Sequence, residues 1–422
     1  MEKKLKILFL VPSFPSLTET FIVNQIIDLI NRGHEVNIFS VLRGTGLVHQ
    51  QITDYDLIRK TTFSDVPINI VERISLFFRI FLNAKGTNRR KLLSTLNPFK
   101  YGIAAFTLSS FFKVAWLTSL RVEFDIVHAH FGFMYSYYFR GKECGFFSNA
   151  SLVTTFHGYD MVPSDVDANK IKYKELFDNN ILITTNNEYG RSLLHLIRRD
   201  YDNIFLLPVA LDTAYYRPVS RKSNTEKNAI TILFCGRLIK WKGPNRLIEI
   251  ANILINDKDF YNINFIMVGD GPKEYKDELN EMINKYQLND KVTLVGARKQ
   301  DEVIQLLNEA DIFIMPGITD VDGRAETQGL VIQEAQAMKV PVVATNAGGM
   351  KYGLKHGETG YIVNEADLDD FVEKVQDLIT DTQKRIQFGI VAREFVERNF
   401  DSKIIGSTLE QLYYKIKQKD VL

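Results

Sequence analysis

The chain has only two cysteines, Cys144 and Cys235, in 422 residues. They are too few and too far apart for a disulfide framework, and each stands among apolar neighbours as an ordinary buried thiol, so a reducing cytoplasm is the expected compartment. Net charge is nearly absent, formally +1, and no nucleic-acid partner is expected from so even a balance. There is no clean apolar run of spanning length, because the apolar and aromatic stretch 101–120 is interrupted by Lys113. The first apolar run, Ile7 to Val11, lacks the longer h-region and cleavage site of a secretory signal, so no export is expected. No G-x-G-x-x-G follows that run and no G-x-x-x-x-G-K-[ST] occurs, so neither dinucleotide nor P-loop phosphate binding is signalled. No Cys/His cluster suggests zinc and no familiar Ser-His-Asp context appears.

What is present is a globular composition, 45% apolar and 24% charged, on a chain long enough for two domains of roughly 150–200 residues each. Ile7 to Val11 reads as a strand. It leads through Pro12 and Pro15 into a helix with Ile22, Ile26 and Ile30 on one face, then to a second strand, Val36 to Phe39. Ser16 and Glu19 have the spacing of a capping box at the start of that helix. The pattern restarts at Ile230: a strand to Cys235, then Gly236 and Arg237, then Pro244 opening a helix to about Ile255. Further strands are expected at 126–129, 152–156, 181–185, 205–207, 265–268, 292–295, 312–315, 340–344 and 361–363. Strands alternating with helices imply an α/β protein with two Rossmann-like, doubly wound parallel sheets. The pattern breaks between Pro208 and Lys227, which places domains at about 1–210 and 220–400, with 401–422 forming a last amphipathic helix that crosses back to the first domain.

Ligands of such sheets bind beyond the carboxyl ends of the strands, and unusual residues recur there. Gly329 and Leu330 open a helix whose free N–H groups and dipole suit a diphosphate oxygen. Gly236-Arg237 followed by Lys242-Gly243 before Pro244 supplies cations that act most strongly on a departing diphosphate. Glu326 precedes the helix and Glu334 lies about a turn and a half inside it, so the two carboxylates can hold paired hydroxyls on different parts of one ligand. Taken singly, each of these charges reads more simply as a solvated surface group. His128 and His130, two positions apart on a strand, are expected on opposite faces, so that at most one reaches the cleft. The D-x-D triplets at Asp165–Asp167 and Asp320–Asp322 are read as loop carboxylates. Residues 72–121 carry Arg73, Arg79, Lys85, Arg89, Arg90, Lys91, Lys100, Lys113 and Arg121 against the single acid Glu72. Interleaved with aromatics, they fit either a face for an anionic membrane surface or helices covering the first sheet.

The runs DGRAETQGLVIQEAQA (322–337), VPVVATNAGG and HGETGYIV, with GRLIKWKG (236–243) and FIMVGDGP (265–272), resemble the donor half of retaining GT-B glycosyltransferases. That family's E-x7-E element corresponds to Glu326 and Glu334. The N-terminal PSFPSLTETFIVNQI (12–26), HAHFG (128–132) and TFHGYD (155–160) resemble the subgroup that builds bacterial exopolysaccharides of the colanic acid type. The resemblance spans nearly the whole chain. It implies a GT-B fold with a central cleft and a retaining transfer from a nucleotide-diphosphate sugar, a UDP-sugar before a GDP-sugar, with no metal or other cofactor. The implied acceptor is a hydroxyl of an oligosaccharide, lipid-linked in such pathways. Arg237 and Lys242 would bind the diphosphate, Glu326 the sugar hydroxyls and Glu334 the ribose, with His157 beside the reacting sugar. Gly236, Gly329, Leu330, Arg298 and Ser16 complete the expected donor contacts. The chain departs from the family where Met350-Lys351-Tyr352 follows Gly348-Gly349 in place of Pro-Glu, and where Pro15-Ser16-Leu17-Thr18 replaces a glycine pair. Other readings are a GT-B epimerase or phosphorylase, and a non-catalytic sugar-binding or scaffold subunit. The expected location is the cytoplasm, or the inner face of the cell membrane.

Overall fold

The computed structural model describes residues 3–16, 19–44, 50–120, 122–219 and 229–419. The polar run 220–228 of the expected linker, and Leu17, Thr18 and Arg121, lie outside these residues. The first sheet comprises β1 (Lys6–Phe14), β2 (Glu35–Arg43), β3 (Thr61–Phe63), β4 (Ile126–His130), β5 (Ser151–Phe156), β6 (Leu182–Thr185) and β7 (Ile204–Leu206). All neighbours are parallel, in the order β3-β2-β1-β4-β5-β6-β7. The second comprises β8 (Ile230–Cys235), β9 (Ile263–Val268), β10 (Val292–Gly296), β11 (Ile312–Met315), β12 (Val342–Thr345) and β13 (Gly360–Val363), again all parallel, in the order β10-β9-β8-β11-β12-β13. The central strands β4, β5, β11 and β12 are buried throughout, as a parallel sheet covered on both faces requires. The two-sheet expectation therefore holds.

The last helix, Ser402–Lys419, packs on the first sheet's domain, placing Leu409 and Tyr413 in the same apolar cluster as Ile7, Phe9 and Ile26. Polar ties reinforce the crossing. Glu410 takes His34 Nε2 at 2.9 Å and Arg32 at 3.2 Å, and Arg32 also donates to the Lys403 carbonyl at 2.7 Å.

Two local expectations are corrected, and one strand is new. The capping box at Ser16 does not form: the helix begins at Thr20, and its N-cap is Glu19, which makes no side-chain capping bond. The Glu19 carboxyl turns inward instead, with Oε2 buried. His128 and His130 do not take opposite faces. Residues two apart on a strand share a face, and the two rings lie 4.3 Å apart, both buried. Strand β3 was not anticipated, being only three residues long at the sheet edge.

The basic segment folds into short helices between β3 and β4. The reading as a cover for the sheet holds for Phe111, Phe112 and Trp116, which are buried, Trp116 stacking on Phe39 of β2 at 3.8 Å. It does not hold for Phe78, Phe99, Ile103 and Phe106, which are exposed.

Candidate active site

In the second sheet the strand order reverses between β8 and β11, and the loops leaving their carboxyl ends must part there, opening a crevice. The loop after β8 carries Gly236, Arg237 and, on a single turn at Lys240–Lys242, the lysine closed off by Gly243. The loop after β11 runs from Pro316 to Gly329, the N-cap of the helix Leu330–Ala337. Lys242 Nζ meets Glu326 Oε2 at 2.7 Å, and both side chains are largely buried, 13% and 16% exposed. Burial alone would raise the Glu326 carboxyl. Lys242, the backbone N–H of Gly329 and the charge of Arg237 outweigh it and hold the group below its usual range. Gly236 lies against Lys242: a Cβ there would stand 3.3 Å from its Cδ. Arg237 is exposed beside Trp241, its guanidinium 5.9 Å from the ring centroid. Two cations and a helix N-terminus thus surround one carboxylate, which leaves a surplus of positive potential at the crevice.

Glu334 sits farther along the helix and is held from the interdomain segment. Tyr216, 2% exposed, donates its hydroxyl to Glu334 Oε1 at 2.7 Å and accepts from Gln300 Nε2 at 3.0 Å. Burial raises the Glu334 carboxyl, and the single tyrosine bond only partly offsets it. Arg393 fastens the same segment to the end of the helix, donating to the carbonyls of Ala337 at 2.7 Å, Thr213 at 2.9 Å and Tyr216.

The first domain reaches this loop at His157. Thr327 Oγ1 donates to the His157 carbonyl at 2.7 Å, and Asn187 Nδ2 donates to the Thr327 carbonyl at 2.6 Å. Gln328 exchanges two bonds with the Val209 backbone, at 2.7 and 2.9 Å. The approach is close enough to require glycine on both sides of Thr327. Gly158, at φ +102°, has no room for a Cβ beside the Thr327 side chain, and Gly349 has none beside the Thr327 carbonyl. The His157 ring lies among Phe21 and Phe131, with centroids at 4.8 and 4.9 Å. Its Nε2 is 3.1 Å from His130 Nδ1, and its Nδ1 makes no hydrogen bond. Burial pushes its pKa down to about 3, so the ring is neutral at ordinary pH. Asp160 shapes the turn, accepting the backbone N–H groups of Gly132, His157 and Gly158 at 2.5, 3.1 and 3.0 Å. In the loop after β1, Glu19 Oε2 is buried without a partner, and burial raises that carboxyl to about 7.

Of the residues singled out in the sequence, Glu326, Lys242, Arg237, Gly236, Gly329 and Leu330 meet at one crevice, Glu334 lies on the same helix, and the backbone carbonyl of His157 joins the loop at Thr327. Arg298 stands apart on an exposed loop, bonded to the Ala297 carbonyl at 3.1 Å and 3.8 Å from Glu302. Ser16 belongs to the first loop, where its carbonyl accepts the Glu19 N–H at 3.4 Å. Asp320 is a turn-former, accepting the N–H groups of Asp322 and Arg324 at 2.9 and 2.7 Å. Among the described residues no three His, Cys, Asp or Glu side chains are grouped to hold a metal. Sequence reasoning missed Thr327, Gln328, Asn187 and Tyr216. The first two lie inside the quoted E-x7-E run, but the partners of all four come from more than 110 residues away.

Residues 217–395 match the family described as glycosyl transferases group 1. This stretch is a group 1 glycosyl transferase domain. Along its full length the chain is similar to the putative colanic acid biosynthesis glycosyltransferase WcaL of Escherichia coli, 26% identical over 97% of this chain and 99% of that protein. It is also similar to the amylovoran biosynthesis glycosyltransferase AmsK of Erwinia amylovora, 25% identical over 98% and 100%. A solved glycosyltransferase from Rickettsia africae has the same fold, with TM-score 0.70 and 21% identity over 98% of this chain and 99% of that one. Anabaena HepE, solved with UDP and glucose, aligns with TM-score 0.66 and 17% identity over 97% and 100%. The group 1 domain thus occupies the second half of a GT-B architecture.

Proposed function

We propose that the protein transfers a glycosyl group from a nucleotide-diphosphate sugar to a hydroxyl of a lipid-linked oligosaccharide during surface polysaccharide assembly, with retention of anomeric configuration. The observation that carries this reading is the surplus of positive charge around Glu326 at the N-terminus of the helix Leu330–Ala337. Arg237, Lys242 and the helix N–H groups bind the diphosphate and stabilise the charge it gains as its bond to the anomeric carbon breaks. Glu326 accepts sugar hydroxyls, and Glu334, oriented by Tyr216, accepts those of the ribose. His157 lines the sugar from the acceptor side. The bond from the acceptor oxygen to the anomeric carbon forms on the face the diphosphate leaves, and a departing phosphate oxygen takes the acceptor proton. Retention, UDP as the nucleotide, lipid linkage and a place at the inner membrane face follow the family resemblance. The UDP held by HepE supports the choice of nucleotide, and the colanic acid and amylovoran pathways of WcaL and AmsK support the place in surface polysaccharide assembly.

The test is acceptor-dependent release of nucleotide diphosphate, with proton NMR of the first product. Retention gives a product anomer matching the donor. Release without acceptor counts against transfer, and epimerised donor points instead to a GT-B epimerase. Cellular polysaccharide left unchanged by both Glu326→Ala and Lys242→Ala would favour a scaffold role.

A further inference from the structure

The helical excursion between β3 and β4 has an apolar face that is left exposed among the described residues. In the helix Ile70–Asn83, Ile70, Ile74, Phe78 and Leu82 recur every four residues on the solvent side, 44–65% exposed. The opposite side, with Leu76, Phe77, Ile80 and Phe81, packs on the first domain's core. Farther along, Phe99, Ile103 and Phe106 stand out from two short helices, 101%, 79% and 78% exposed. Single exposed apolar residues are ordinary; a four-residue repeat on one helix followed by three more large side chains is not. The charges have one sign. Arg79, Lys85, Arg89 and Arg90 are exposed and make no ion pair among the described residues, and Glu72 is the one acid in 72–120.

We infer that this face is a docking surface for an anionic lipid bilayer. The apolar stripe enters the interfacial zone while the cations meet the headgroups. A symmetric pairing of two copies through the same face would set these cations against one another with only Glu72 to compensate, so the charge pattern selects a lipid occupant over a second chain. The excursion leaves β3 at its carboxyl end, the end from which the loops after β1 and β4 also rise. The inference depends on the proposed transfer only for the identity of what the membrane presents, and binding needs no turnover.

The experiment is flotation of the whole protein with vesicles of phosphatidylcholine alone or with about one-third phosphatidylglycerol, at low and high salt. Binding is expected to the anionic vesicles only and to weaken with salt. Arg89→Glu with Arg90→Glu is expected to lower the partition coefficient by about 30-fold or more, from roughly a fivefold loss per cation removed. Phe78→Asp, on a side chain that packs on the solvent side, is expected to release the protein without changing its melting temperature. Absence of flotation at low salt overturns the inference. So does flotation that survives both variants, or a dimer that Phe78→Asp converts to monomer. Soluble acceptor turned over normally by a non-floating variant leaves the transferase reading intact while confirming the surface.

Discussion

Replacing Glu326 by glutamine should strengthen the binding of free nucleoside diphosphate while weakening transfer. Lys242 is engaged by Glu326 at 2.7 Å, a charged hydrogen bond worth about 1.5–3 kcal/mol net. An arriving diphosphate must share that lysine and also approach the carboxylate. Two unit charges about 5 Å apart repel by about 3 kcal/mol at an effective dielectric constant of about 20. Arg237 and the Gly329 N–H absorb part of this, since both already stabilise the carboxylate. A net relief of about 1–2 kcal/mol remains, which is about 5–30-fold tighter binding of UDP. Lys242→Ala acts in the opposite direction and weakens UDP by about tenfold or more. Titration calorimetry at fixed ionic strength measures both. A loss of UDP affinity in Glu326→Gln equal to that in Lys242→Ala would refute the reasoning, because Glu326 would then be contacting the nucleotide diphosphate and not competing with it.

Tyr216→Phe removes the single donor to Glu334 and leaves a buried carboxylate unpaired, at a cost of about 1–3 kcal/mol; UDP affinity is expected to fall, and unchanged affinity would separate Glu334 from the ribose. Gly158→Ala forces a side chain into Thr327 at φ +102°, costing about 1–2 kcal/mol of backbone strain in addition to the clash. Urea unfolding reads the strain, and transfer should fall more than UDP binding because the nucleotide side is untouched. Stability should also decrease on acidification below pH 6.5. Burial holds His128 and His157 at about 3 and pushes His130 well below its usual value, so below 6.5 the unfolded chain takes up protons the native chain refuses, at about 1.4 kcal/mol per pH unit each. Asp160 and Glu19, raised to about 6 and about 7, act oppositely, since the native chain keeps protons there that the unfolded chain has released. Glu334, raised by burial as well, joins them, and a melting temperature that rises between pH 6.5 and 5.5 would show that these carboxyls outweigh the three buried rings.

The sheets were legible because their strands are near-continuous apolar runs punctuated by Gly, Pro and Asn, and because the two βα starts at Ile7 and Ile230 share one grammar. The crevice was legible for a related reason. Gly236-Arg237, Lys242 and Glu326 sit in loops at the carboxyl ends of β8 and β11, and the strand order that parts those loops follows from the doubly wound pattern. What stayed hidden is long-range pairing of neutral polar groups. Thr327 with His157, Asn187 with Thr327, and Tyr216 with Glu334 are single hydrogen bonds between distant segments, and no local period encodes them. The Ser16 capping box shows the converse error, in which a correct local spacing was overridden because Glu19 found burial toward the core. The histidine pair was misjudged from strand geometry itself, and the 4.3 Å ring separation corrects it.

The central claim is that the crevice between the loops after β8 and β11 holds a nucleotide-diphosphate sugar. Thermal unfolding of the wild-type protein, and of a variant carrying Arg237→Ala and Lys242→Ala, in the presence of millimolar UDP, GDP or ADP tests it most directly, because a ligand that binds only the native state raises its melting temperature. At least one nucleotide, UDP foremost, is predicted to raise the wild-type transition, and the double variant is predicted to lose that shift. A wild-type transition unmoved by all three, or a shift that persists in the double variant, would contradict the account.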